Sequence, residues 1–556
     1  MRRSSPKSRL GLIAAAALAA LGSMPAQAAA VDWIGGTSFW DLVANWSSNP
    51  LLPGAADDVR IDVAGVQTIT HRSGTHVVNS LSMTGNDSLA VTGGSLTVAN
   101  AYASSAGTAL SAGTLTLNGA SAMAVLAQSG GTLAGSGVVT IAGASTWLGG
   151  AQSGTGITRF DNDVSIDGAA AKAISGGRTV DLNGTTNWGG NTGANNNSLQ
   201  FANGTLNNAG TFNDRNAFAS FIDHSSGTNA FNNIGTYNKQ SNTVTTVEAT
   251  YHNIGTTNVN AGTMLMQGSS TTSGTFNIAS GATLEFRNGT HTLNNPTIAG
   301  AGTFAVSTEN VGADAVVTLN GGTLTSRFLL SGSTLAGTDR TFRGPAAWTG
   351  GSLAGTAITT FDNDVAISGP NLKVIVGGGT VNLEGITTWS GNTADNNNAI
   401  RFWNGATINN RGTFNDANSF ASFIEHNVGG PHNFNNIGTY NKQSATVTTV
   451  DGGVAFNNSG VVNVNAGTFR PSGGTSTGTF NIGAGAVLDF RNGNNTLDGA
   501  TTRGLGSLQI SSDLVGADAV VSGNGGTHSA PFVLSGSTRT GTDHTFSGPV
   551  TWSGGT

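Results

Sequence analysis

The sequence has no cysteine, 11 prolines in 556 residues, and only 9% charged side chains, against roughly 25% in an average globular domain. Without cysteine there are no disulfides, so stability must come from packing and hydrogen bonds spread over a large structure. A thiol-free chain also cannot cross-link while it awaits a second translocation step. The net charge of −6 is spread thinly, with no basic cluster. That removes the phosphate-neutralising charge a nucleic-acid partner requires. Beyond the first 21 residues no apolar run approaches the ~20 residues of a membrane-spanning helix.

What is present begins with targeting. Arg2, Arg3, Lys7 and Arg9 precede the apolar run Leu10 to Leu21, then Gly22, Pro25 and Ala26-Gln27-Ala28. This pattern is a secretory signal peptide over residues 1–28, with cleavage after Ala28. The mature chain is expected to be exported and soluble.

The rest repeats itself on two scales. Residues 140–340 align with 341–544: Phe160-Asp161-Asn162-Asp163-Val164 returns as Phe361-Asp362-Asn363-Asp364-Val365, and Phe231 to Ser241 returns unchanged as Phe434 to Ser444. A further copy begins at 545–556 with Trp552-Ser553-Gly554-Gly555, so the chain reads as cut short within a repeat. Residues 29–139 form a tryptophan-rich opening that shares the shorter beat. That beat is set by Gly210, Gly235, Gly255 and Gly274, each opening a Gly-Thr step, and by Gly412, Gly438, Gly460 and Gly478 in the second copy. Leu96, Leu115 and Leu133 keep the same spacing.

Periods of about twenty residues mean a solenoid, and the local period selects the kind. Leu115 and Leu117 alternate with Thr114 and Thr116, which is strand alternation. Leu284/Phe286 and Leu488/Phe490 are expected to point inward, with Glu285/Arg287 and Asp489/Arg491 outward. Glycine at the corners is expected to supply positive φ. A single rung buries four or five aliphatics at about 1.5–3 kcal/mol each. Ordering some twenty residues costs roughly 1–2 kcal/mol apiece, so rungs must stack. The expectation is an all-β parallel β-helix of roughly 25 rungs.

The opening Asp32-Trp33-Ile34-Gly35-Gly36, Ser38-Phe39-Trp40-Asp41, Ala44-Asn45-Trp46, Pro53-Gly54 and Asp57-Asp58-Val59-Arg60-Ile61-Asp62 resembles that of large bacterial surface proteins of the autotransporter and filamentous-haemagglutinin type. The resemblance implies a right-handed parallel β-helix exported to the surface of a Gram-negative bacterium. It also implies an outer-membrane transporter, supplied by a missing C-terminal region or by a separate chain.

Several motifs invite chemistry. Six of the nine tryptophans, Trp33, Trp147, Trp188, Trp348, Trp389 and Trp552, open Trp-x-Gly-Gly or Trp-x-Gly-Asn; each either closes a strand before a tight turn or offers a platform to sugar rings. Asp161/Asp163 and Asp362/Asp364 read as capped turns, because the full calcium-binding repeats are absent. Asp214, Asp223 and His224, with Asp416, Glu425 and His426, are the nearest approach to an acid–base cluster, which a polysaccharide lyase or glycosidase would need. Tyr237 and Lys239, with Tyr440 and Lys442, recur as candidate surface contacts. Asn195-Asn196-Asn197, Asn396-Asn397-Asn398, Asn207-Asn208 and Asn232-Asn233 are expected to form rung-to-rung ladders.

The leading expectation is a non-enzymatic adhesin or self-associating surface protein that takes surface glycans or identical molecules on neighbouring cells as partners, with no cofactor and no metal. A carbohydrate-active enzyme and a passive stalk are the alternatives.

Overall fold

The computed structural model describes residues 29–308, 314–512 and 518–556; the expected signal peptide and its cleavage residue Ala28 lie outside the described residues. The chain is an all-β parallel solenoid of about 22 turns. The shortfall from 25 comes from loops that lengthen some turns. Thr185, Thr211, Thr236 and Thr256 stand in register on successive turns, yet the first two intervals are longer than the third because residues 189–198 and 215–219 leave the coil. Most strands have two to five residues; Arg327–Gly337 and Ala346–Ala354, with 11 and 9, bend round a corner without a break. Among the described residues the one helical element is the short 3-10 turn Val43–Asn45. No described helix is long and apolar enough to cross a membrane.

The described residues fall into two compact units. The first holds residues 29–166 and 170–184. Around its opening turn, Trp33 and Trp46 pack edge to face with ring centres 4.7 Å apart, as do Trp40 and Trp46. The leucine beat is a register: Leu96 pairs with Leu115, and Leu115 with Leu133, all fully buried.

The second unit, residues 167–169 and 185–556, has three strand stacks per turn. Face 1 carries Thr205–Asn208, Ala230–Asn233 and Thr250–Asn253. Face 2 carries Thr211–Asp214, Thr236–Lys239, Thr256–Val259 and Thr275–Ile278. Face 3 carries Ser220–Ser226, Val244–Val247, Thr263–Met266 and Thr283–Phe286. Alternation places Leu284 and Phe286 inside and Glu285 at the surface. Leu488 and Phe490 also point inward, but Asp489 is buried as well, since Arg470 at 3.1 Å and Ser511 at 2.6 Å close over it. Aromatic rings continue from turn to turn inside: Phe212 stacks on Tyr237 at 5.3 Å, and Phe414 on Tyr440 at 5.3 Å. Such pairs add about 0.5–1.5 kcal/mol beyond their buried area.

Glycine serves two purposes in the coil. Corners such as Gly262 do adopt positive φ (65°). The Gly-Thr glycines do not; they are needed for close approach. A Cβ on Gly235, Gly255 or Gly274 would strike the carbonyl oxygen of Gly210, Gly235 or Gly255 in the preceding turn, and Gly412, Gly438, Gly460 and Gly478 repeat the arrangement. Each of these glycines sits where the N–H of the next residue bonds back, as Thr256 does to the Gly235 carbonyl and Val461 to that of Gly438, both at 2.9 Å.

Gly255→Ala is therefore expected to destabilise the surrounding turns by about 1–3 kcal/mol, the usual cost of overpacking. Gly107→Ala, where the nearest atom lies 3.9 Å from a new Cβ, should be near neutral. Thermal unfolding of the two variants checks this.

Candidate functional site

The strand Thr236–Lys239 alternates Thr out, Tyr in, Asn out, Lys in. Tyr237 and Lys239, and equally Tyr440 and Lys442, are fully buried; the expectation that they are surface contacts is overturned. Parity decides their side, and the interior supplies partners. The Tyr237 hydroxyl donates to Asp214 at 3.1 Å, Thr245 donates to the same carboxylate, and Asn216 donates its side-chain amide at 3.2 Å. Lys239 Nζ donates to the Ser241 carbonyl and hydroxyl at 2.5 and 2.7 Å. The second copy rebuilds the group: Tyr440 donates to Asp416 at 3.0 Å, Thr448 at 2.5 Å, and Lys442 donates to the Ser444 carbonyl at 2.6 Å. Burial lifts the Tyr237 and Tyr440 phenols well above their usual range, and the neighbouring carboxylates add to it. Burial also raises the Asp416 carboxyl, opposed by the charge of Lys442, and lowers Lys442, opposed by Asp416.

The acid–base cluster does not assemble. Asp214 lies inside the coil, fully buried, whereas Asp223 is half-buried on the outer side of face 3 and His224 is exposed. The strand wall separates them. His224 bonds Asn229 at 2.6 Å. Asp223 instead meets Glu248, one turn on, because Ile222 pairs with Val247. Burial raises the Glu248 carboxyl, and its hydrogen bond to Asp223 raises it further. In the second copy Asp416 is likewise interior, while Glu425 accepts from Arg401 at 3.1 Å and His426 meets Asp451 at 2.8 Å.

The tryptophans are mostly structural. Trp33 and Trp348 turn their ring N–H onto the carbonyl three residues on, at 3.1 and 3.4 Å. Trp188 and Trp389 donate to the Asn197 and Asn398 carbonyls at 3.0 and 3.1 Å. These four and Trp147 are buried, leaving no ring face for a sugar; Trp552 is 71% exposed. In the Asp-Asn-Asp turns the asparagines are the caps: Asn162 and Asn363 accept the backbone N–H of Asp163 and Asp364 with their side-chain oxygens at 2.8 and 2.7 Å. No group of three or more metal-ligating side chains occurs among the described residues.

Asparagine ladders are present in two kinds. Inside, Asn208 bonds Asn233 and Asn233 bonds Asn253, each at 2.8 Å, and Asn410, Asn436 and Asn458 repeat them. Outside, Asn232 bonds Asn207 at 2.7 Å. A longer outer row joins Asn187, Asn213, Asn238, Asn258 and Asn277 on face 2. Its counterpart joins Asn415, Asn441, Asn463 and Asn481. The Asn195–Asn197 and Asn396–Asn398 triplets are corrected: they build no ladder but join their loop to the loop one turn on. Asn197 ties Trp188 to Asn216, and Asn398 ties Trp389 to Asn418.

Sequence reasoning missed what those loops display. Phe218 is 46% exposed and Phe420 42%. Each is held from behind by a buried asparagine, Asn191 donating to the Phe218 carbonyl and Asn392 to that of Phe420, both at 2.9 Å. The duplicated Phe-Ala after each Asn-rich loop was the available signal. Comparison with known protein families, with curated proteins and with solved structures finds no match for the chain.

Two outcomes follow from the buried and half-buried charges. Asp416→Asn leaves Lys442 without a counter-charge and should cost about 3–5 kcal/mol, read as lost hydrogen-exchange protection over Thr439–Lys442, with Lys442→Met restoring much of it. Glu248 has a raised carboxyl in the folded chain, so the folded state holds its proton more tightly than the unfolded one. Stability from this group is lowest above the folded pKa and rises as pH falls through it. Glu248→Gln should therefore raise the melting midpoint at pH 7 and flatten its gain on acidification.

Proposed function

We propose that the chain is an exported, cell-surface solenoid of a Gram-negative bacterium that works without catalysis, as a self-associating or adhesive passenger. Identical molecules and surface glycans are its partners, and an outer-membrane transporter carries it out. The observation that carries this reading is the division of polar groups between the two sides of the wall. The recurring carboxylate, phenol and ammonium groups of Asp214, Tyr237 and Lys239, and of Asp416, Tyr440 and Lys442, are turned inward and hydrogen-bonded. The outer surface repeats neutral amides and hydroxyls, one set per turn, with an exposed phenylalanine once per long copy.

A neutral polar face gives weak individual contacts, and repetition along one molecule multiplies them through effective concentration. Phe218 and Phe420 take the anchoring role that Tyr237 and Tyr440, being buried, do not fill. An exposed aromatic pinned by a buried asparagine loses little side-chain entropy on contact.

Beads coated with residues 29–556 should clump with one another. Phe218→Ala with Phe420→Ala should reduce clumping at least several-fold while leaving the melting midpoint unchanged. Wild-type beads that stay dispersed, and that bind no glycan-bearing surface, would leave only a spacer role.

A further inference from the structure

The long repeat is not a whole number of turns. Thr211–Asp214 and its counterpart Thr413–Asp416 are the same segment 202 positions apart. Follow face 2 upward from Thr211–Asp214. Nine successive pairings lead through Thr236–Lys239, Thr297–Ala299, Arg340–Phe342 and Thr380–Leu383 to Thr407–Asn410. Thr413–Asp416 is the next strand in the chain, and it lies on face 3: it pairs with Ile386–Trp389, which stacks on Val365–Ile367 and so on the first half of Ala346–Ala354. The repeat thus advances nine turns plus one face of three. Every other equivalence shifts the same way. Thr205–Asn208 on face 1 returns as Thr407–Asn410 on face 2, and Ser220–Ser226 on face 3 returns as Ser422–His426, in the stack that continues face 1.

The consequence falls on the outer asparagine rows. Asn187 to Asn277 lie on face 2, and Asn415 to Asn481 on face 3, about 45 Å further along at ~4.8 Å per turn. In both rows Thr or Val and Asn are the outward residues, with no charge. A side-chain amide has two N–H donors and an oxygen with two lone pairs. The ladder uses one of each, so each turn presents a further donor and, except at Asn213 and Asn415, where Gln240 and Gln443 donate to the oxygen, a further acceptor. Such a row is self-complementary, and its one-amide-per-turn rise is matched along its length by another row of the same rise. A second copy of this chain carries one.

We infer that each row docks the same row of a second copy, and that, because successive copies of the repeat turn the row by one face, a single molecule binds two neighbours on different sides. This rests on the self-association reading above and adds its direction: the assembly extends as chains instead of closing as pairs. One row, about five turns long and one strand wide, is far smaller than the ~800 Å² per partner of a stable interface. Each contact is therefore transient, and covalent trapping suits it.

The absence of cysteine makes the test direct. Thr236→Cys and Thr439→Cys place single thiols at equivalent outward positions in the two rows. Leu505→Cys, 82% exposed and outside both rows, measures random collision. Under mild oxidation each row variant should give a covalent dimer several-fold above the Leu505→Cys level. The double variant should give a ladder of trimers and larger species. If the row variants give no more dimer than Leu505→Cys, row-to-row docking is wrong. If both single variants dimerise but the double variant also stops at dimers, self-association stands and the two-sided inference falls. Bead clumping without row cross-linking would place association elsewhere on the surface and overturn the inference while sparing the proposed function.

Discussion

The structure depends on one constraint: no turn can satisfy its own backbone. Each strand is only a few residues long and its hydrogen bonds run to the turns on either side, so order in one turn requires order in its neighbours. The Gly-Thr steps show how tightly this is drawn. Carbonyl oxygens of one turn occupy the space where the next turn's Cβ would be, and the threonine N–H that follows completes the bond. The same requirement explains the interior. A coil only three strands round has no room for a separate polar layer, so amides such as Asn208, Asn233 and Asn253 saturate one another along the axis instead.

The parallel coil was legible in the sequence because two independent periods agreed. Alternation set strand over helix, and the Leu96, Leu115, Leu133 beat is a stacking register. Parity also held the answer for Tyr237 and Lys239, which share it with the inward residues Phe212 and Asp214. Residue chemistry argued the other way, since lysine is rarely buried without a partner. Ser241 and Thr243, two and four residues on, receive Lys239 at the corner that follows its strand, whereas Asp214 comes from the preceding turn, and no local pattern announces it. The acid–base grouping failed for a related reason. Asp214 and Asp223 are close in sequence but lie on opposite sides of the wall, and counting along the chain does not say where a loop carries the strand from one face to the next.

Glycine spacing was visible while its cause was not. Positive φ and close approach both select glycine, and only the register between turns separates them. Phe218 and Phe420 were hidden among similar phenylalanines that do point inward. Their exposure follows from loops pinned by Asn191 and Asn392, whose partners lie 27 and 28 positions away.

The fractional advance of the long repeat bears on how such a chain can grow. If the three faces were specialised, a duplication would have to span complete revolutions or leave every following strand beside the wrong neighbour. Here the segment Thr413–Asp416 packs Phe414 against Tyr440 as Thr211–Asp214 packs Phe212 against Tyr237, although it occupies another side of the coil. The sides are interchangeable hosts. Recombination can therefore add or remove material in steps of a single strand and corner, and each such event re-aims everything distal to it, like a card shuffled into a spiral stair.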